Sequence, residues 1–239
     1  MDDEFSFLSK RLRTIKADLT DDQINQFYMY YKILIEKNQV MNLTTITDFV
    51  DVVEKHFIDS LIVSEYFDFD SVSSLIDVGS GAGFPGIPLK IAFPHLSVTL
   101  LDSLGKRVNF LTQLTETLGC SNIKAVHVRA EDAGRLPEFR EQYDVSVSRA
   151  VSNLASLAEY CLPFTKINGC FISYKSTGVK TEVEQARKAI HLLGGKTDHI
   201  HEFTLPGTDN SRAFVMIKKI SKTNSRYPRK AGIPNRNPL

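Results

Sequence analysis

The sequence predicts an α/β protein: a mostly parallel seven-stranded sheet, closed by an antiparallel hairpin and preceded by a helical lobe. Three observations carry this expectation. From Leu75 onward, short β-rich runs alternate with helical patterns, the order expected of βαβ units. The first of these runs, residues 75–78, leads directly into a glycine loop. Two further strand-like runs, 199–205 and 212–220, flank Pro206-Gly207 and Asp209-Asn210, which reads as a hairpin. In order, residues 5–70 are expected to be helical. Ile24, Phe27, Tyr31, Leu34 and Ile35 recur at helical spacing behind Thr20, which forms a capping box with Gln23. A polar loop around residues 42–45 separates this helix from a second run after Thr47 that carries Val50, Val53, Phe57 and Leu61. The remaining strands are expected at 98–101, 123–128, 143–147 and 170–174. Helices lie between them, such as the one bearing Val108, Leu111, Leu114 and Leu118 before Gly119, and 179–193 before Gly194-Gly195. The chain thus divides into a helical lobe (1–70), an α/β domain (71–220) and a tail (221–239).

Composition narrows the function classes. Of the 239 residues, 42% are hydrophobic and 24% charged, which excludes wholesale disorder and fibrous classes. No run approaches the ~20 apolar residues that span a bilayer, and the acidic start Met1-Asp2-Asp3-Glu4 is unlike a secretory leader, so a soluble cytoplasmic protein is expected. Cys120, Cys161 and Cys170 are odd in number and widely spaced, with no Cys-x-x-Cys pair, and read as free thiols in a reducing compartment. His191, His199 and His201 cluster without cysteine partners, so no metal is implied. The net charge of +1 is polarised: residues 218–239 hold seven basic residues and no acidic one, which leaves residues 1–217 at −6. Such a tail suits a nucleic-acid backbone, with Tyr227 as a possible stacking surface; a merely solvated charge run is the alternative.

The chemistry concentrates at the expected carboxyl edge of the sheet. Asp77-Val78-Gly79-Ser80-Gly81-Ala82-Gly83-Phe84-Pro85-Gly86-Ile87-Pro88 combines a strand end, a tight glycine turn and a helix start, which together receive a negative or nucleotide-like ligand. In the dinucleotide fingerprint G-x-G-x-x-G the third glycine comes one residue later, where Phe84 stands here. The Asp-x-Gly-x-Gly-x-Gly form instead resembles the S-adenosylmethionine loop of class I methyltransferases. Asp102 follows 23 residues after Gly79 at the second strand's end, where an acid accepts ribose hydroxyls; a helix cap is the plain alternative. Ala130 and Glu131 end the third strand and would meet adenine through backbone groups, or simply begin a surface helix. Arg149, after the fourth strand, would pair with a carboxylate, a phosphate or the guanine edge, with a surface salt bridge as its alternative. No Asn/Asp-Pro-Pro-Tyr clamp and no Pro-Cys nucleophile is present, which disfavours transfer to exocyclic amines or pyrimidine C5.

These motifs, with Asn42-Leu43-Thr44, His56-Phe57-Ile58-Asp59-Ser60, Arg129-Ala130-Glu131, Ser148-Arg149-Ala150 and the tail from Tyr227-Pro228-Arg229-Lys230 through Pro234-Asn235-Arg236, resemble the small-subunit ribosomal RNA methyltransferase G family, also called glucose-inhibited division protein B. The resemblance runs nearly end to end. It implies a class I, Rossmann-like methyltransferase fold with S-adenosylmethionine as cofactor. It further implies methyl transfer to N7 of a guanosine in 16S ribosomal RNA near the decoding centre. Gly79, Phe84, Ala130, Glu131 and Arg149 are the cofactor positions it carries over, and Gly81, Gly83 and Asp102 join them on the physical argument. Arg149 is the candidate for orienting cofactor or target during transfer. Asn42, His56, Lys175, Arg226, Arg229, Lys230 and Arg236 are the RNA-contact candidates, with purely structural roles equally open for His56 and Lys175. A monomer acting on the small subunit or its assembly intermediate is expected. Two readings compete: a noncatalytic assembly factor that keeps the cofactor pocket, and a nicotinamide-dependent oxidoreductase, against which Phe84 weighs.

Overall fold

The computed structural model describes residues 2–15, 17–149 and 152–239. Ala150, which closes the fourth-strand motif, lies outside the described residues. The helical lobe comprises α1 (Asp2–Leu12), α2 (Asp21–Met41) and a continuous helical run made of α3 (Phe49–Val52), a π-helical turn (Val53–Ile58) and α4 (Asp59–Leu61). The capping box at the start of α2 forms as expected: Gln23 N–H donates to Thr20 Oγ1 and Thr20 N–H to Gln23 Oε1. Asn42 ends α2 in the left-handed region at φ 49°, and Asn38 pins the loop beyond it through two hydrogen bonds to Thr44. The second run starts after Thr47 as expected, with Asp48 as its cap. The inward face of α2 differs from the expectation. Tyr30 is fully buried beside Phe27 and Leu34, whereas Tyr31 and Ile35 are only half-buried.

Among the described residues, seven strands form one sheet: β1 (Ser74–Val78), β2 (Ser97–Asp102), β3 (Ile123–His127), β4 (Tyr143–Arg149), β5 (Thr165–Lys175), β6 (Gly195–Thr204) and β7 (Ser211–Lys219). Their order is β3-β2-β1-β4-β5-β7-β6, parallel except for β7, which runs antiparallel to both its neighbours. Between them lie α5 (Gly86–Ala92), α6 (Gly105–Thr117), α7 (Ala130–Ala133), α8 (Leu154–Cys161) and α9 (Val179–Leu192). Side-chain alternation along the strands feeds two apolar layers. Leu75, Leu100 and Val147 face a layer shared with α5, α6 and the helical lobe, while Ile76, Val78 and Leu101 face α8 and α9. No described helix is long and apolar enough to cross a membrane.

The tail is not a loose extension. Arg140 donates to the carbonyls of Thr223 and Tyr227, and Arg135 to that of Pro228. Lys219 is fully buried, donates to Leu162 O and Thr223 Oγ1, and is pulled down to about 8 by desolvation. Tyr227 is 5% exposed, so it packs in the core and offers no stacking surface. Beyond it, the guanidinium of Arg229 grips the completely buried carboxylate of Glu159 on α8, with Nη2 to Oε2 at 2.6 Å and Nε to Oε1 at 2.9 Å. A one-turn helix, α10 (Ile233–Arg236), follows.

Removing one partner of a buried pair leaves an uncompensated charge. Arg229→Ala should therefore lower unfolding free energy in urea by about 3 kcal/mol, whereas Arg236→Ala, at an exposed position, should stay within about 0.5 kcal/mol. Equal effects would show that Glu159 and Arg229 do not anchor the tail.

Candidate active site

The glycine loop leaves β1 with Gly79, Gly81 and Gly83 at φ 79°, 59° and 105°, conformations that side-chain-bearing residues rarely adopt. It is pinned from β2: Gly79 and Ser80 N–H both donate to Leu101 O, and Gly81 N–H donates to Asp102 Oδ2 at 2.9 Å. Asp102 Oδ1 accepts from Leu104 N–H, so this carboxylate builds the loop as well as facing the cleft. Each of its oxygens keeps a second lone pair for a hydroxyl. A Cβ on Gly81 would meet only Gly79 O, at 3.9 Å, so this glycine opens onto free space. Gly83 differs: a Cβ there would lie 2.6 Å from Ile87 Cδ1 and 2.7 Å from Tyr30 Oη. Its missing side chain makes room for the helical lobe, and it lines neither of the cavities beside the loop.

Asp77 sits beneath the loop, fully buried. Its Oδ2 accepts from Gly86 N–H at 2.9 Å, while Oδ1 has no hydrogen-bond partner among the described residues. Desolvation pushes its carboxyl up to about 7.

Phe84 is 5% exposed and stacks against Tyr30 (5.1 Å, 13°) and His56 (4.5 Å, 20°), with the Arg149 guanidinium carbon 5.0 Å from its centroid. Tyr30 Oη donates to Ala82 O at 2.7 Å, which ties the lobe to the loop a second time. Arg149 extends from β4 and donates through Nη1 to Asp59 Oδ2 (2.9 Å) and through Nη2 to His56 Nδ1 (3.2 Å). Arginine has no acceptor, so Nδ1 must be unprotonated and Nε2–H donates to Thr44 Oγ1 at 2.8 Å. Burial, reinforced by Arg149, lowers His56 from its ordinary 6.5 to about 3. Asp59 also accepts from Arg212 Nε at 2.7 Å. Sequence reasoning quoted Asp59 inside a motif but gave it no role; its position three residues after His56 was the available signal.

Three cavities meet around these groups. One of about 430 Å³ is lined by Gly79, Gly81, Phe84, Asp102, His56 and Arg149. A second, of about 240 Å³, continues it past Gly79 and Asp102 to Leu101, Val128, Ala130 and Glu131. The third, of about 500 Å³, lies on the other side of His56 and Arg149, among Lys55, Lys175 and Arg212. A larger depression of about 700 Å³ opens beside Ser73 and Asp144, at the amino ends of β1 and β4. There Asp144 is spent on structure, with Oδ2 accepting from Ser73 and Ser74 and Oδ1 from Lys166.

Some predicted residues are engaged elsewhere. Glu131 Oε1 accepts from Gly232 N–H at 2.8 Å, so its side chain serves the tail, although the residue lines the second cavity. Lys175 Nζ donates to Ser152 O and Glu182 Oε1, and Arg229 is committed to Glu159. The expectation of Arg229 as a phosphate contact therefore gives way to an internal strut. Arg226, Lys230 and Arg236 remain exposed, as does Asn42, whose backbone ends α2.

A parallel sheet with an antiparallel penultimate strand in the order β3-β2-β1-β4-β5-β7-β6, with a glycine loop after β1 and an acid ending β2, defines the class I methyltransferases. Solved structures share the fold at low identity: M. jannaschii TYW2 in complex with AdoMet (TM-score 0.50, 15% identity, 62% of this chain and 70% of that one) and TrmN from Thermus thermophilus (TM-score 0.50, 14%, 70% and 53%). The family model for rRNA small subunit methyltransferase G matches residues 23–231. Ribosomal RNA small subunit methyltransferase G of Lachnoclostridium phytofermentans is 48% identical over 239 residues, covering 100% of this chain and 98% of the relative. That of Acetivibrio thermocellus is 51% identical over 223 residues, covering 93% and 91%. The chain belongs to the ribosomal RNA small subunit methyltransferase G family, whose cofactor is S-adenosylmethionine. The cleft suits that cofactor: Gly81 leaves space, Asp102 retains lone pairs, and the two joined cavities run along the carboxyl ends of β1, β2 and β3.

The neutral His56 makes a pH prediction. Its pKa is lower folded than unfolded, so between about 6.5 and about 3 the unfolded chain binds the extra proton and stability falls as pH drops. The stability advantage of wild type over His56→Gln should shrink below pH 6.5, by up to about 1.4 kcal/mol per unit. Urea unfolding from pH 7 to 4 measures it, and a pH-independent difference would show that the ring is not held neutral.

Proposed function

We propose that the protein transfers a methyl group from S-adenosylmethionine to N7 of a guanosine in 16S ribosomal RNA near the decoding centre, acting in the cytoplasm as a monomer on the small subunit or its assembly intermediate. The observation that carries this reading is Arg149, the shared wall between the glycine-loop cavity and the cavity edged by Lys55, Lys175 and Arg212. In this reading Gly79, Gly81, Phe84, Asp102, Ala130 and Glu131 border the cofactor, the last two through their backbone. The 1–70 lobe and the third cavity receive RNA. S-adenosylmethionine supplies an electrophilic methyl on its sulfonium.

Guanine N7 carries a lone pair and no proton, so the protein's task is alignment and charge placement rather than proton removal. The residues agree with that demand. His56 has one ring nitrogen bonded to Arg149 and the other to Thr44, so it is not poised as a base. Arg149, fixed by Asp59, keeps a permanent positive charge beside the point where cofactor and target would meet, and orients the incoming guanine or its phosphate. Arg226, Lys230 and Arg236 supply the sequence-independent hold on RNA.

Labelled methyl transfer to small subunits from cells lacking this protein, followed by nucleoside mapping, should place the label at guanine N7. Absence of label despite cofactor binding would favour a noncatalytic assembly factor. Neutralising Arg226, Lys230 and Arg236 together should weaken RNA binding and flatten its log–log salt slope by about 0.7 for each phosphate that is no longer neutralised. An unchanged slope in filter binding would make these residues bystanders.

A further inference from the structure

The cavity beyond Asp102 has an unexpected wall. Leu101, Val128, Ala130 and Tyr160 line it from the sheet side, and the outer side is closed by Gly232 and Asn235 from the tail. This segment is built into place. Gly232 N–H donates to the buried carboxylate of Glu131 at 2.8 Å, Ser156 Oγ donates to Pro234 O at 2.7 Å, and Pro234 itself is buried. Ser152 Oγ donates to Asn235 Oδ1 at 2.9 Å, with the amide nitrogen at the other end of the carboxamide. The amide nitrogen of Asn235, with two N–H donors, has no partner among the described residues.

A purine ring offers matching chemistry: flat, apolar faces for Leu101 and Val128, and ring nitrogens that only accept hydrogen bonds. We propose that the tail segment Gly232–Asn235 is the outer wall of the cofactor's nucleoside pocket, and that Asn235 Nδ2 donates to an adenine ring nitrogen. The inference rests on the cofactor reading above. It gives the tail two faces. The inner face, Gly232 and Asn235, closes over the nucleoside; Arg226, Lys230 and Arg236 are exposed on the outside. A residue binding adenine thus lies outside the strands and loops that carry the rest of the site.

Calorimetric binding of S-adenosylhomocysteine tests it without catalysis. Asn235→Ala, at an exposed position that should leave Tm unchanged, is expected to weaken binding about tenfold, the scale of one lost hydrogen bond to a ligand. Asn235→Asp keeps the oxygen that accepts from Ser152 and lacks the N–H donors, so it should be at least as weak. Removal of residues 232–239 should cost more than either substitution. As an independent readout, saturating S-adenosylhomocysteine should slow tryptic cleavage after Lys230, because ligand in the pocket stabilises the docked wall. Wild-type affinity in Asn235→Ala and in the truncated chain, with no protection from trypsin, would overturn the proposal while leaving the cofactor assignment intact. Failure of the wild-type protein to bind S-adenosylhomocysteine at all would overturn both.

Discussion

The carboxylate of Asp59 joins the helical lobe to the sheet, and the arrangement of the site depends on it. It is 5% exposed and takes Arg149 from β4 on one oxygen and Arg212 from β7 on the other. Three charges brought together out of water contribute little net stability, because desolvation offsets most of their attraction. What they give is direction. With Nη1 fixed by Asp59, Nη2 of Arg149 reaches His56, which settles the tautomer of an imidazole that burial, reinforced by this guanidinium, keeps neutral. His56 in turn lies flat on Phe84, the residue that distinguishes this glycine loop from a dinucleotide loop. One acid on a helix therefore reaches, through Arg149 and His56, the backbone turn of the glycine loop.

The π-helical turn makes this geometry possible. A π-turn inserts an extra residue into a helix and re-aims the side chains around it, and such turns recur at functional sites. Here the widened turn, Val53–Ile58, contains both Lys55, whose carbonyl accepts from Arg149, and His56. The lobe is thus part of the cleft rather than a cover placed on it. Tyr30 shows the same from α2, bonding to Ala82 O and filling the space left by Gly83.

Much of this was legible in the sequence, for identifiable reasons. The glycine loop, Asp102 and the alternation of strands and helices are local patterns, written in adjacent residues. The hairpin at Pro206-Gly207 and the capping box at Thr20 and Gln23 are also local, and both formed where expected. The features that escaped depend on contacts distant in the chain. Tyr30 sits one position from the expected Tyr31 because Phe84 and Gly83, more than fifty residues later, provide its pocket. Arg229 reads as a solvated RNA contact until α8 brings Glu159 beneath it. The π-turn has no sequence signature of its own, since Val53–Ile58 continues the helical apolar spacing. Composition marked the tail as basic, but could not reveal that its backbone is held by arginines from elsewhere in the chain.

The way the tail is fastened sets how it can come loose. Terminal segments usually fray residue by residue. Here the backbone amides of Arg229 and Gly232 are each bonded to a buried carboxylate, Glu159 and Glu131. The Arg229 guanidinium holds Glu159 as well, so detaching the segment strips both buried carboxylates of their tail partners; partial detachment is disfavoured and the segment behaves as one opening unit. In native-state hydrogen exchange the two amides would then exchange at a common rate, set by a single sub-global opening rather than by local fluctuation.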